Sequence, residues 1–211
     1  MKQSRVRRIG LTGGIAAGKS SCSDFLIREG YRVLDGDKTA HRLMEPGQTV
    51  YRAIVDAFGR DMLDEEGRLD RKKLGSLVFQ DAEALATLNS LTHSLIYQDL
   101  AHQANHADPE ELKDGLLFFD LPLLFESWEL AKGLDFDSIW LVVTSQEEQI
   151  RRMKVRDGLT SDQALDRIHA QMGDEEKILK ADQIIYNEGT LDALYQQIRE
   201  TIALERDHEI S

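Results

Sequence analysis

The chain has 211 residues, about one and a half average domains, and is 41% hydrophobic and 30% charged; these ordinary globular values exclude general disorder, collagen and a coiled coil as main architecture. Lys and Arg number 26 against 38 Asp and Glu, a net charge of −12, which repels a phosphate backbone and excludes nucleic-acid binding outside a local basic groove. Cys22 is the single cysteine, so an internal disulfide and a cysteine zinc site are both excluded.

At the start of the chain Lys2, Arg5, Arg7 and Arg8 resemble the basic end of a signal peptide. Gly10 and Thr12-Gly13-Gly14 interrupt the apolar stretch far too early for one. No segment approaches the roughly 20 apolar residues that span a bilayer. A soluble, cytoplasmic protein without a membrane partner is expected, monomeric or a weak homo-oligomer.

The first predicted strand is Arg8-Ile9-Gly10-Leu11-Thr12, and helical spacing follows from Lys19 to Glu29, ended by the glycine cap Gly30. Tyr31-Arg32-Val33-Leu34 reads as a short second strand. From Thr39 to Asp114 no strand is evident. Several helices are expected there, broken near Pro46-Gly47, Glu66-Gly67 and Asp108-Pro109. Two near-continuous apolar runs, Leu116 to Asp120 and Ser138 to Val143, have the pattern of strands buried on both faces. A charged helical stretch from Gln146 to Asp182, a short strand Gln183 to Tyr186 and a closing helix Leu191 to Ile202 complete the chain. Alternating strand and helix predicts a doubly wound α/β fold with right-handed crossovers. The core is expected at about 1–38, 115–145 and 183–211, with a helical insertion at about 39–114 and a helical lid at about 146–182. Trp128, Trp140 and the phenylalanines read as core or pocket wall.

Gly13-Gly14-Ile15-Ala16-Ala17-Gly18-Lys19-Ser20 fits G-x-x-x-x-G-K-[ST] throughout. Glycines let such a loop wrap closely, so that its backbone N–H groups converge on phosphate oxygens at a helix N-terminus. Lys19 is then the contact to the β- and γ-phosphates of ATP, the Ser20 hydroxyl a Mg²⁺ ligand, and Ser21 the end of the nucleotide-binding run. The second strand leads into Asp35-Gly36-Asp37. Residues two apart on an extended chain share a side, so both carboxylates are expected to face the phosphates, with Mg²⁺ or an attacking hydroxyl between them. The alternative is a turn in which Asp37 caps the next helix. Asp120 reads equally as a Mg²⁺ group acting through water or as a strand end. Gln149, Arg152 and Arg156 share one helical face, either as a lid that clamps phosphates or as a solvated charged face. His41 follows Asp37 by four residues, and His93 lies on a largely apolar helix, where packing is the commoner role.

In this order the motifs resemble the dephospho-CoA kinase family, from Ile9 to about Leu194. The blocks that carry the resemblance are Gly10-Leu11-Thr12-Gly13-Gly14 with Gly18-Lys19-Ser20, Asp35-Gly36-Asp37 with Ala40-His41, and Gly67-Arg68-Leu69-Asp70-Arg71. Leu88-Asn89 with His93, Asp120-Leu121-Pro122-Leu123-Leu124-Phe125-Glu126, Arg156-Asp157-Gly158-Leu159, Arg167-Ile168, Gln171 and Asn187-Glu188-Gly189 continue the series. The resemblance implies a P-loop, three-layer α/β/α kinase with a parallel sheet. Such an enzyme transfers the ATP γ-phosphoryl group to the ribose 3′-hydroxyl of dephospho-CoA. It also implies Asp37 as base and metal group, Lys19 and Arg152 on the phosphates, and Asp35, His41, His93 and Arg156 on the substrate. The insertion would then hold much of that substrate. The alternatives are another small-molecule or nucleotide kinase, or a non-catalytic ATP-binding switch. Departures from the family pattern are Ala16-Ala17 for the commoner Gly-Ser, Gly36 for Ala, Ser94 for Pro, Gly173 after Met172 and Tyr186 for Asp. Alanine at position 16 requires a backbone conformation it can tolerate.

Overall fold

The computed structural model describes residues 5–207; Lys2 lies outside them. In chain order the main elements are β1 (Arg7–Gly13), α1 (Lys19–Arg28), β2 (Arg32–Asp35), α2 (Gly36–Leu43), α3 (Thr49–Phe58), α4 (Arg71–Gln80) and α5 (Ala82–Asn105). They continue as β3 (Leu116–Asp120), α6 (Trp128–Ala131), β4 (Ser138–Val143), α7 (Gln146–Asp157), α8 (Ser161–His169), α9 (Asp174–Ile178), β5 (Gln183–Tyr186) and α10 (Leu191–Asp207). The chain divides into two compact units: Asp35–His106, and the residues before and after that stretch.

The first unit is built on a five-stranded sheet of order β2-β3-β1-β4-β5. β1 runs parallel to both β3 and β4, and β4 runs parallel to β5. Every residue of β3 and β4 is buried, as the apolar runs require when both faces are covered. On one face Ile9 and Leu11 of β1 meet Leu116, Phe118, Trp140 and Val142 from the adjoining strands. Cys22, Phe25 and Leu26 of α1 and the stripe Leu194, Ile198, Ile202 of α10 cover them. On the other face an added Cβ at Gly10 would stand 2.8 Å from Leu124 and 3.3 Å from Phe136, so glycine there admits the segment after β3. This is the three-layer architecture that the alternating pattern predicts.

Helix α1 ends in a paired-bond cap. The Gly30 N–H donates to Ile27 O and the Tyr31 N–H to Leu26 O, with Gly30 at φ +89°. Tyr31 is thus committed to the cap, and β2 starts one residue later than the sequence indicates. The amino ends of β1 and β4 are tied to α10 by Glu205, which is buried. It accepts from Arg7 Nε (2.8 Å), Ser138 Oγ (2.5 Å) and Trp140 Nε1 (2.9 Å). Trp140 is therefore core with a satisfied indole. Trp128 and Phe79, in contrast, are 40% and 92% exposed, which corrects the reading of all such aromatics as core or pocket wall.

The second unit is helical. Leu43, Val50, Ile54 and Leu74 form its core, with Leu88, Leu95 and Ile96 of α5 packed against them. Turns fall at Pro46-Gly47 and Glu66-Gly67. Its boundary differs from the expected insertion at both ends: it begins at Asp35 because α2 starts directly at the end of β2. Residues 107–114, including the 3-10 turns Pro109–Glu111 and Lys113–Gly115, belong to the sheet unit. Asp70, in the family-like block, caps α4 by accepting from the N–H groups of Lys72 and Lys73. Among the described residues no helix is long and apolar enough to cross a membrane.

Candidate nucleotide site

The strand order reverses around β1, and in open α/β sheets ligands bind outside the carboxyl ends of the strands at such a point. There β1 ends at Gly13, the loop turns, and α1 begins at Lys19. Gly13 is fixed by backbone and Gly18 by its conformation, while Gly14 is crowded by the ends of two side chains. A Cβ at Gly13 would meet Val142 O at 2.8 Å, and one at Gly14 would meet Gln149 Nε2 at 2.8 Å and Asp174 Oδ1 at 3.1 Å. One at Gly18, whose φ is +102°, would meet Asn187 Nδ2 at 2.0 Å. Ala16 has φ +57°, so the loop keeps a left-handed residue where the sequence supplies no glycine. Inside the loop the Ala17 N–H donates to Gly14 O at 3.0 Å.

The loop is held by its carbonyls. Arg152 of α7 donates through Nη1 to Ala16 O (3.1 Å) and Ala17 O (3.0 Å), and through Nη2 to Asn187 O (3.1 Å). Asn187, just after β5, donates through Nδ2 to Ala17 O at 2.8 Å. Glu148 fixes the guanidinium by accepting from its Nε at 2.8 Å. Hydrogen bonds from Arg151 and then Arg152 hold the Glu148 carboxyl down at about 2. With the carbonyls of Ala16 and Ala17 engaged in this way, the loop keeps its compact turn. Besides the Ala17 amide, the Ile15 N–H is also engaged, donating to Gln171 Oε1 at 2.9 Å.

At the start of α1, the Lys19 ammonium donates to Asp120 Oδ1, and the Ser23 hydroxyl donates to Asp120 Oδ2. Asp120 closes β3 beside Leu11 of β1 and is only 5% exposed. Cys22, in the apolar cluster beneath α1, has its thiol pushed up to about 12 by burial and by the Asp120 charge. Ser20 is exposed. Facing Gly14 is a cavity of about 450 Å³ lined by Gln149, Gln171, Met172 and Asp174 among others. Burial raises the Asp174 carboxyl above the usual range, with Lys177 opposing. Glu126 pins the segment that forms this wall. Its Oε1 accepts from the Met172 N–H at 3.1 Å and lies 2.9 Å from the Nζ of the fully buried Lys177, off the axis of a hydrogen bond.

The profile of the family described as dephospho-CoA kinase matches residues 7–193. The chain belongs to the dephospho-CoA kinase family. A dephospho-CoA kinase of Carboxydothermus hydrogenoformans is 40% identical over 193 residues, covering 90% of each chain. One of Lactococcus lactis is 38% identical, with 92% of this chain and 96% of the other covered. Among solved structures, the dephospho-CoA kinase from Campylobacter jejuni has a TM-score of 0.70 at 28% identity, covering 96% and 98% of the two chains. A shikimate kinase from Acinetobacter baumannii, at 15% identity with 98% and 96% covered, shares the fold with a TM-score of 0.56. The phosphate loop and parallel sheet are thus those of a kinase family, and ATP is the phosphoryl donor that such a family implies.

Of the residues singled out in the sequence, the loop from Gly13 to Ser21 and Lys19, Asp120 and Arg152 come together in the sheet unit of this kinase-family chain. Arg156 does not join them: it pairs with Asp157 (2.8 Å), whose other neighbour is Arg167 at 3.8 Å. Asp35, Asp37, His41 and His93 belong to the helical unit. Asp35, not Asp37, caps α2, by accepting from the Lys38 N–H at 2.9 Å. Asp37 sits in the first helical turn, so the argument that residues two apart on a strand share a side does not apply there. His41 Nδ1 bonds Asp37 O at 2.8 Å, with Nε2 3.5 Å from Arg71. His93 is exposed, which corrects its reading as a packing residue. Sequence reasoning gave no role to Ser23, Glu148 or Asn187. Ser23 and Glu148 carried no sequence signal, but Asn187 did, standing directly beyond a strand end on the ligand side of the sheet.

Proposed function

We propose that this chain transfers the γ-phosphoryl group of ATP to the ribose 3′-hydroxyl of dephospho-CoA, giving coenzyme A and ADP, the final step of coenzyme A synthesis. The family match over residues 7–193 carries this reading. In it the loop from Gly13 to Ser21 wraps the phosphates, and the Lys19 ammonium binds oxygens of the β- and γ-groups. Lys19 has three donor positions, of which Asp120 takes one. Arg152 holds the loop in shape and adds positive charge beside the phosphates, where charge spreads in a loose transition state.

The exposed Ser20 hydroxyl and the Asp120 carboxylate fit a Mg²⁺ that keeps most of its waters and is otherwise held by nucleotide phosphates. Among the described residues no group of three or more acids, histidines or cysteines forms a dedicated metal cage. When bound, the ion supplies neutralisation of phosphate charge. Asp37 orients the acceptor hydroxyl and takes its proton late; Asp35, His41, His93 and Arg156 serve the substrate. The segment 146–182 acts as the lid, excluding water that would otherwise hydrolyse ATP. The enzyme works in the cytoplasm as a monomer or weak homo-oligomer.

The test is ATP-dependent conversion of dephospho-CoA to CoA with Mg²⁺, followed by mass, beside Asp37→Asn. Conversion by the native chain and a loss of about 10²-fold or more in kcat for the variant is expected, the size of a lost general base. No CoA from a protein that binds ATP would overturn the substrate assignment, and equal rates would remove Asp37 from the chemistry.

A further inference from the structure

We propose that Ser23 is a positioning residue for phosphoryl transfer: it holds one oxygen of Asp120 away from Lys19, so that the ammonium keeps its remaining donors for phosphate. Lys19 opens α1, and Ser23 lies four residues on, so both side chains rise from the same face of the helix. Asp120 closes β3 against that face, and its two oxygens are divided between them, Oδ1 to Lys19 and Oδ2 to Ser23. Ser23 and Asp120 are 6% and 5% exposed, which leaves water little access to take over either contact. The Ser23 Oγ also lies 3.3 Å from Lys19 O. A hydroxyl has one proton, and the charged, nearer carboxylate receives it.

The division matters because a carboxylate with both oxygens free grips an ammonium with two contacts, or turns away from it altogether. Either movement displaces the group that meets the β- and γ-phosphates. With Oδ2 bound to α1, the plane of the carboxylate is set by the helix itself, and Lys19 meets a single oxygen. Neither the phosphate-loop pattern nor the family blocks include position 23. The kinetic part of the argument rests on the kinase reading above; the contact itself does not.

Three substitutions separate hydrogen bonding from packing. Ser23→Ala removes the hydroxyl with little change in residue volume, Ser23→Cys puts a larger and much weaker donor in its place, and Ser23→Thr keeps the hydroxyl while adding a methyl group. For Cys and Ala, kcat for CoA formation is expected to fall about 10- to 100-fold, as when a partner of a metal-binding or catalytic group is removed. KM for ATP and the affinity for ADP measured calorimetrically without Mg²⁺ should change by less than kcat, since Lys19 is one of several phosphate contacts in the ground state while the transferring group needs it in place. Thr should recover most of the loss. Native kcat in the Cys variant, or equal loss in Cys and Thr, overturns the proposal by showing that only the space at position 23 matters. A second readout needs no turnover: trace acetylation of Lys19, read by mass, should change several-fold in Cys and Ala, slowing where Asp120 closes both oxygens on the ammonium and quickening where it turns away. An unchanged rate overturns the proposal whatever the acceptor proves to be. Altered labelling in a chain that makes no CoA supports Ser23 and removes the substrate assignment alone.

Discussion

Two adjacent alanines in the phosphate loop should respond to glycine with opposite signs. Ala16 lies at φ +57°, where an L-residue with a Cβ is disfavoured by about 1–2 kcal/mol. Glycine removes that cost but adds freedom to the unfolded chain, which lowers stability by about 0.4–1 kcal/mol. Ala16→Gly is therefore expected to stabilise by about 0.5–1 kcal/mol. Ala17 is not among the positive-φ residues and its side chain is 1% exposed, packed with Ile9, Cys22 and Leu194 in the main cluster. There the same change loses a buried methyl worth about 0.8 kcal/mol and adds the same unfolded-state freedom, a cost of about 1–2 kcal/mol. The two variants should differ by roughly 2–3 kcal/mol, or about 4–12 °C in Tm for a chain of this size. Differential scanning calorimetry of both, at equal concentration and scan rate, reads the difference directly. Destabilisation by Ala16→Gly equal to that of Ala17→Gly would refute the claim that the loop stores strain at position 16.

Gly18→Ala should abolish ATP binding in a calorimetric titration, because φ +102° and the Asn187 amide 2.0 Å from the new Cβ forbid the loop's present path; affinity within twofold of native would contradict that. Glu148, held at about 2 against an ordinary 4.5, has a depressed folded value. Its contribution is complete above pH 4.5 and disappears as pH falls toward 2. Over that window the fall in Tm should be shallower for Glu148→Gln than for the native chain, and parallel curves would refute the pairing. The Cys22 thiol, raised to about 12 and fully buried, should resist a disulfide exchange reagent at neutral pH until the protein is unfolded. Reaction at the rate of a small-molecule thiol would place it at the surface.

The strands and the phosphate loop were legible because their signals are local. Leu116–Asp120 and Ser138–Val143 are apolar throughout, and the loop motif is contiguous. What stayed hidden depends on where side chains arrive after folding. Arg152 stood out as a cationic residue on a helix face, yet nothing in its neighbours indicates that its guanidinium ends on Ala16 O and Ala17 O. Its companion Arg156 has the spacing to share that face but is drawn to the adjacent Asp157. The aspartate pair was misjudged in conformation: alternation along a strand requires the strand to continue, and Asp35 instead ends it by capping α2. Ser23 has no signal of its own, since serine one turn into a helix is unremarked until β3 brings Asp120 against it. The aromatics failed for a related reason: burial of Trp140 and exposure of Phe79 are set by which face a neighbouring element covers.

The Glu205 tie has a consequence for the order in which the molecule can be completed. Arg7 and Glu205 are 198 positions apart, so β1 waits for a turn of α10, made much later, before its guanidinium finds an anion. The unit Asp35–His106 draws its core from contiguous chain and can collect its contacts while synthesis is still under way. The sheet carries the long-range pairings, which close late and slowly. The nucleotide loop, placed between β1 and α1, is thus made early in a segment that sets late. A newly made chain acquires its phosphate-binding shape only when Arg152 and Asn187, 136 and 170 positions beyond the loop residues they bind, have reached its carbonyls.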